Sequence, residues 1–409
     1  MTNTPKLRFK EFKEEWEHKK LCDLADVLSG KRIPKGMNLV EYNTGIPYIT
    51  VSDMGEQYVD TSNLKYITPD IEEHIKKYKV FKDDIIISVA GTLGKINLIQ
   101  KDLENANLTE NCDKITNLKG IKYQYLYYYL NTVNIQNQIS SVNTISSQPK
   151  LALTCIRDFD INVPSYEEQE KIASFFSLID KKIELQTEKV EELKKYKKGI
   201  MQKIFSVELR FKDDNGNEFP EWTEYRLSDI GVFYRGHSYN SEHVTNDGIL
   251  VLRSNNIQEN HINFTDLQFV SKQCKDDIKL IKNDIIICMA NGSRNLVGKA
   301  AEYKGYNGAR DITVGAFCSI FRTSNVLAKY IFQLSSYFRY LDILLSGTNI
   351  NNLKNSQLES LSFRMPSCIT ETNKIDACLS IVDLKLDKEQ EKLNLLIKYK
   401  KGLLQQMFI

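Results

Sequence analysis

The glycine–lysine turns are the first residues whose types invite chemistry. Gly91-Thr-Leu-Gly94-Lys95 follows an apolar run, where a phosphate-cradling loop would sit. Such a loop needs four residues between its glycines and Ser or Thr after the lysine. Here two residues intervene and Ile96 follows; the later Gly292…Gly298-Lys299-Ala300 fails as well. Both read as turns that end strands. Pro69-Asp70 could open a nuclease motif, but no Glu-x-Lys follows on a strand pattern. Glu192-Leu193-Lys194 has that spacing on a helical stretch, where residues two apart do not share a face. HExxH, GxSxG and a strand-linked GxGxxG are all absent. So are the Asn-Pro-Pro-aromatic and Asp-Pro-Pro-aromatic tetrapeptides that go with amino-group methylation. His18, His74, His237, His243 and His261 share no spacing that recurs and read as solvated or locally paired. The eight cysteines (Cys22, Cys112, Cys155, Cys274, Cys288, Cys318, Cys368 and Cys378) form no CxxC pair, so reduced thiols are expected rather than a disulfide frame or zinc site. No catalytic, cofactor-binding or metal-ligating residue is assigned.

Polar, turn-rich stretches remain. The first half of the chain has Ser29–Pro34 with Lys31 and Arg32, Glu104–Asn111 with Asn107 and Asn111, and Ser140–Lys150 with Asn143, Gln148 and Lys150. The second half has Tyr234–Tyr239 with Arg235 and His237, Asn291–Asn295 with Arg294, the separate Arg310, and Ser346–Asn355 with Asn349, Asn352 and Lys354. Arg and Lys match the guanine edge, and Asn and Gln match adenine. The same side chains hold phosphates. These fourteen named residues are the candidate DNA contacts, against the plainer reading of solvated loops. Lys194, Lys195, Lys197, Lys198 and Lys203 form a further basic run, which reads first as cations near a helix C-terminus and second as a phosphate contact. Net charge is only +2, so a basic face would have to be local.

The elements that must hold these stretches occur twice. Leu7-Arg8-Phe9-Lys10 returns 202 positions later as Leu209-Arg210-Phe211-Lys212. Asp84-Ile85-Ile86-Ile87 returns after 200 as Asp284-Ile285-Ile286-Ile287, and Tyr196-Lys-Lys-Gly199 after 203 as Tyr399-Lys-Lys-Gly402. That period is domain-sized. Each copy opens with a mixed segment: Trp16-x4-Leu21-x-Asp23-Leu24 matches Trp222-x4-Leu227-x-Asp229-Ile230. Gly45–Thr50, Asp84–Ser88, Gly248–Arg253 and Asp284–Cys288 read as strands. Tyr123–Leu130 and Tyr330–Leu341 read as aromatic-rich helices, with tyrosines 123, 125, 127, 128 and 129 packed in a core.

A long helix follows in each copy after Pro164 and Pro366. From Ile172 the apolar steps alternate four and three: Phe176, Ile179, Ile183, Gln186, Val190, Leu193, Lys197, Ile200 and Ile204. The second copy repeats this at Ile375, Leu379, Val382, Leu386, Glu389, Leu393, Leu396, Lys400, Leu403 and Met407. A heptad seam this long predicts a coiled coil, with polar steps at matched places that fix register. The simplest partner for each helix is the other, antiparallel, with the halves related by pseudo-twofold symmetry. A helix over Glu167–Phe205 would extend roughly 58 Å and serve as a spacer. The expected fold is α+β, with segments 1–163, 164–206, 207–365 and 366–409. The first residues lack an apolar core and no apolar run reaches membrane-spanning length, so a cytoplasmic protein without a signal peptide is expected.

The duplicated order of these motifs resembles that of the specificity subunits of type I restriction-modification systems. Pro164-Ser-Tyr-Glu-Glu-Gln169 is similar to the Pro-Leu-x-Glu-Gln motif at the start of their first conserved helix; Pro366-Ser-Cys-Ile-Thr-Glu371 departs from it. The resemblance covers nearly the whole chain. It implies two target-recognition domains in tandem repeat, each reading half of a split double-stranded DNA site and separated by two long antiparallel helices. It implies docking of two methyltransferase subunits, which bring S-adenosylmethionine for adenine-N6 methylation, and of motor-nuclease restriction subunits. The chain itself would bind no cofactor and catalyse nothing. Ile179, Ile183, Val190, Leu193, Ile200, Val382, Leu386, Leu393, Leu396 and Leu403 would form the partner-facing or coiled-coil seam. A coiled-coil scaffold that joins proteins without nucleic acid is the second reading.

Overall fold

In the computed structural model, residues 4–143, 150–308, 310–346 and 351–409 are described. The chain divides into two compact units: Met1–Glu188 with Gln390–Ile409, and Lys189–Glu389. Each unit holds one mixed segment, part of its own long helix and part of the other.

The repeated motifs are local turn chemistry. In both Asp-Ile-Ile-Ile runs the Asp carboxylate accepts a backbone N–H three residues back: Phe81 N to Asp84 Oδ2, and Ile281 N to Asp284 Oδ2, each 2.9 Å. Between them, Asp83 and Asn283 sit at φ 70° and 74°, a left-handed turn that Asp and Asn tolerate. The Trp-x4-Leu-x-Asp motif works alike, with Asp23 and Asp229 accepting from Lys20 N and Arg226 N.

Each Asp launches a buried strand in a four-stranded antiparallel sheet. The first unit orders its strands Asp26–Ser29, Cys112–Thr116, Ile85–Ser88 and Ile96–Leu98. The second orders Gly231–Arg235, Cys318–Thr323, Ile285–Cys288 and Ala300–Glu302. A smaller sheet lies in each unit, where Pro47–Ile49 pairs parallel with Asn107–Leu108 and Ile249–Leu252 pairs parallel with Ile312–Val314. Gly94 and Gly298 show why the glycine–lysine turns are structural. Both have positive φ, and a Cβ there would meet Ile139 at 2.9 Å and Leu341 at 2.0 Å.

The aromatic helix Tyr123–Leu130 forms over the expected residues, with Tyr125, Tyr127, Tyr128 and Tyr129 buried. Its counterpart is not one helix over Tyr330–Leu341. It breaks into Ala328–Ile331 and Ser335–Leu345, because Tyr330 and Ile331 carbonyls accept from Gln333 and Leu334 in tight three-residue turns.

The long helices run over Tyr166–Phe205, 40 residues, and Ile369–Met407, 39 residues. Every seam position from Ile172 to Ile204 and from Ile375 to Met407 is buried or half-buried. Within each unit the two helices are antiparallel. In the second, Lys189 meets Glu389 and Lys197 meets Asp383, so numbers rise on one helix as they fall on the other. In the first, Phe176 packs on Phe408 and Asp180 meets Lys400. The departing start of the second helix keeps the first one's geometry, since Arg8–Glu168 and Arg210–Glu371 are matched pairs on carboxylates that are almost fully buried.

The polar seam steps Lys197 and Lys400 are built into matched clusters. Lys400 Nζ lies 2.5 Å from Asp180, which also accepts from the Tyr128 hydroxyl at 2.8 Å. Lys197 Nζ lies 2.6 Å from Asp383, which accepts from the Tyr330 hydroxyl at 3.1 Å. Each lysine also sits over the same tyrosine ring, at 5.6 and 5.7 Å. Asp180→Ala would leave a part-buried ammonium and a hydroxyl without their acceptor, at a cost of about 2 kcal/mol. Tyr128→Phe removes one hydrogen bond and costs about 1 kcal/mol. Urea denaturation checks both; an Asp180→Ala cost no larger than that of Tyr128→Phe contradicts the cluster.

Candidate nucleic-acid interface

The polar stretches are drawn together at one end of the four-stranded sheet by backbone hydrogen bonds. In the first unit Gly30 N donates to Cys112 O at 2.9 Å and Lys31 N to Leu108 O at 2.8 Å. Val89 N donates to Asn111 O at 2.8 Å, Leu151 N to Val89 O at 3.0 Å, and Ala90 pairs with Lys150. Thus 29–34, 104–111 and the end of 140–150 meet around the exit of strand Ile85–Ser88. The second unit repeats the wiring. Gly236 N donates to Cys318 O, His237 N to Val314 O, Met289 N to Phe317 O, Leu353 N to Met289 O, and Ala290 pairs with Asn352.

The side chains on this wiring differ. Lys31 and His237 occupy matched places, as do Asn111 and Phe317. Lys31 is exposed and its ammonium sits 5.8 Å from the Tyr78 ring centroid. Arg32 is exposed and pairs with Glu110. Burial works against the Glu110 carboxylate, yet Arg32 beside it brings its pKa below the usual value. Lys150, Arg235, Arg294, Asn352 and Lys354 are exposed. Arg294 donates to the Asp342 carbonyl at 3.1 Å, and the Lys354 N–H to Gln357 Oε1 at 2.8 Å, capping a short helix. Asn143 ends the helix Val133–Asn143. Gln148 and Asn349 lie outside the described residues.

Three expected contacts are placed otherwise. Asn107 is wholly buried in its strand and neither amide atom has a partner among the described residues, so it presents nothing at the surface. Its Asn type resembled a loop; its parallel pairing with Tyr48 makes it a strand residue. His237 is 7% exposed, stacks with Tyr239, and burial pushes its imidazole pKa down. Arg310 precedes the strand Ile312–Val314, whereas the loop cluster gathers where that strand ends at Gly315; Arg310 pairs with Asp247 instead. In the basic run, Lys194 and Lys195 pair with Glu191 and Glu192, and Lys197 belongs to the seam. Phe317, 70% exposed, was not anticipated. Within the apolar run from Ile312 to Ile320, only Gly315 hinted that the strand pauses before it. No group of three or more potential metal ligands occurs among the described residues, and no helix of the described residues is long and apolar enough to cross a membrane.

Asp113 lies under the first cluster, opposite Ser29 and 3% exposed. Burial raises its carboxyl from 3.8 to about 6, against the pull of the Ser29 hydroxyl, Lys150 and Arg157. The folded state therefore holds this proton more tightly than the unfolded chain. The Asp113 contribution to stability is fully present below about pH 3.8 and is lost as pH rises to about 6. Asp113→Asn should remove that slope and leave the variant about 2 kcal/mol more stable than the parent at neutral pH. Urea denaturation at pH 4 and pH 7.5 measures it; an equal difference at both pH values rejects the assignment.

The surrounding sequence and fold have known counterparts. Residues 13–195 match the family model described as the type I restriction modification DNA specificity domain. The specificity subunit of the type I restriction enzyme StySPI from Salmonella potsdam is 32% identical over 182 residues, 41% of this chain and 39% of that protein. The EcoKI specificity subunit from Escherichia coli K12 is 29% identical over 182 residues, with the same 41% and 39% coverage. The chain thus spans about two-fifths of the length of these curated relatives. The crystal structure of a type I restriction-modification S subunit from M. genitalium shares the fold over 99% of both chains, at TM-score 0.57 and 17% identity. By these matches residues 13–195 are similar to the type I restriction modification DNA specificity domain, and the chain shares the fold of a type I S subunit over nearly its whole length.

Proposed function

We propose that the chain reads a bipartite double-stranded DNA sequence, one half-site for each mixed segment, and that it performs no chemistry itself. One observation carries the reading. Both units gather loop segments from three places in the chain at the same sheet end through matched backbone hydrogen bonds, while the side chains differ. A repeated frame with changed contacts is what two different half-sites require.

The long helices support docking of two methyltransferase subunits, which would bring S-adenosylmethionine for adenine-N6 methylation. Besides the buried seam, exposed apolar side chains recur at matched positions. Leu178 and Ile381 are 73% and 68% exposed, and Tyr196 and Tyr399 are 58% and 57% exposed. A partner that fits one copy would fit the other. Motor-nuclease subunits would join the same assembly for restriction. The segments 1–163, 164–206, 207–365 and 366–409 are the proposed recognition domains and helices.

Co-expression with the cognate methyltransferase subunit in cells lacking adenine methylation tests the reading. Genome sequencing should find N6-methyladenine at one motif with two specified parts and an unspecified gap. Exchange of residues 1–163 for those of a homologue should change one part alone. A stable complex that methylates nothing, and binds DNA without sequence or salt dependence, would leave a protein scaffold in its place. Leu178→Glu and Ile381→Glu should each cut the number of bound methyltransferase subunits from two to one, read by native mass spectrometry; two bound subunits in the double variant reject this docking face.

A further inference from the structure

Phe317 is the outlier in the second loop cluster. Single exposed apolar side chains are common and need no explanation. This one is held in place. Its carbonyl accepts from Met289 N at 2.8 Å and Ala290 N at 3.2 Å, and the next residue, Cys318, is fully buried. The ring therefore projects from an anchored turn. Its neighbours are polar: His237 pairs with Gly315 two residues before it, and Ala290 joins it to Asn352. The matched position in the first unit, where Val89 N donates to the equivalent carbonyl, is Asn111.

Base edges in the major groove offer donors, acceptors and one apolar feature, the C5 methyl group of thymine. An amide suits the polar atoms; a phenyl ring suits only the methyl. We propose that Phe317 packs against a thymine methyl in the half-site read by the second unit, and so helps to set its sequence. This rests on the DNA-recognition reading above.

The test uses the full chain assembled with its methyltransferase subunit. The motif is first mapped, and the half belonging to the second unit is identified by exchange of residues 1–163. Each thymine of that half is then replaced singly by deoxyuridine, which lacks only the methyl. The parent complex should lose about fourfold in affinity at one position, the worth of one buried methyl-sized group. Phe317→Ala should be indifferent at that position, and Phe317→Leu should keep part of the discrimination. Thymines of the other half serve as the folding control, with the same response in parent and variants. Unchanged discrimination at every position in Phe317→Ala, or a half-site with no A·T pair, overturns the proposal. A parent complex without sequence preference in either half would instead overturn DNA recognition itself.

Discussion

A lysine in an apolar helix seam must find an anion, and here that need fixes how the long helices lie. Lys400 and Lys197 have side chains only 23% and 12% exposed, each against one aspartate of the antiparallel helix. A slide of one turn, about 5.4 Å, would strand both ammonium groups in half-buried surroundings. Leu and Ile alone would tolerate such a slide, because dispersion contacts are not directional. The same aspartates accept the hydroxyls of Tyr128 and Tyr330, which belong to the globular cores. Helix register and the seat of each mixed segment are thus set by a single carboxylate per unit. Leu403, Leu404, Met407 and Phe408 then enter the core of the first unit, and Met201 and Ile204 that of the second. Neither core is complete on the residues of its own repeat.

Much of this was legible because it is local or periodic. The heptad steps named the seam residues, including its polar steps. The Asp-Ile-Ile-Ile runs marked strands because an Asp that caps a turn and a β-branched run leave distinct traces. The partner of each seam lysine was not legible: the bond joins positions about 190 or 220 residues apart, and nothing in sequence spacing encodes that pairing. The helix break after Ile331 was missed because Phe332, Gln333 and Leu334 all have acceptable helix propensity, and tertiary packing overrode it. Among the candidate contacts, Lys31, Arg32 and Lys150 came to one place, while Asn107 became a buried strand residue. Residue type could name the chemistry of a loop, but only strand pairing decides which side chains reach its surface.

The two units share a frame down to individual backbone bonds, yet their polar ties differ. Trp16 donates to Glu168, whereas Trp222 Nε1 has no partner among the described residues. The hairpin Ile257–Ile262 of the second unit is tied to both long helices: Glu259 pairs with Lys194 and His261 with Asp387, which Lys304, beyond the hairpin, also reaches. The first unit has Glu184 at the place of Asp387, and Glu184 pairs with Lys181 on its own helix. The ties of Glu259, His261 and Lys304 are exposed, and exposed ion pairs contribute little to stability. Their divergence is therefore cheap, while the buried Arg–Glu ion pairs and the lysine–aspartate–tyrosine seam clusters recur. Stability is carried by backbone wiring and buried clusters that the two copies hold in common. Surface residues are left free to change, and a fold arranged this way can alter what its loops touch without altering what holds them.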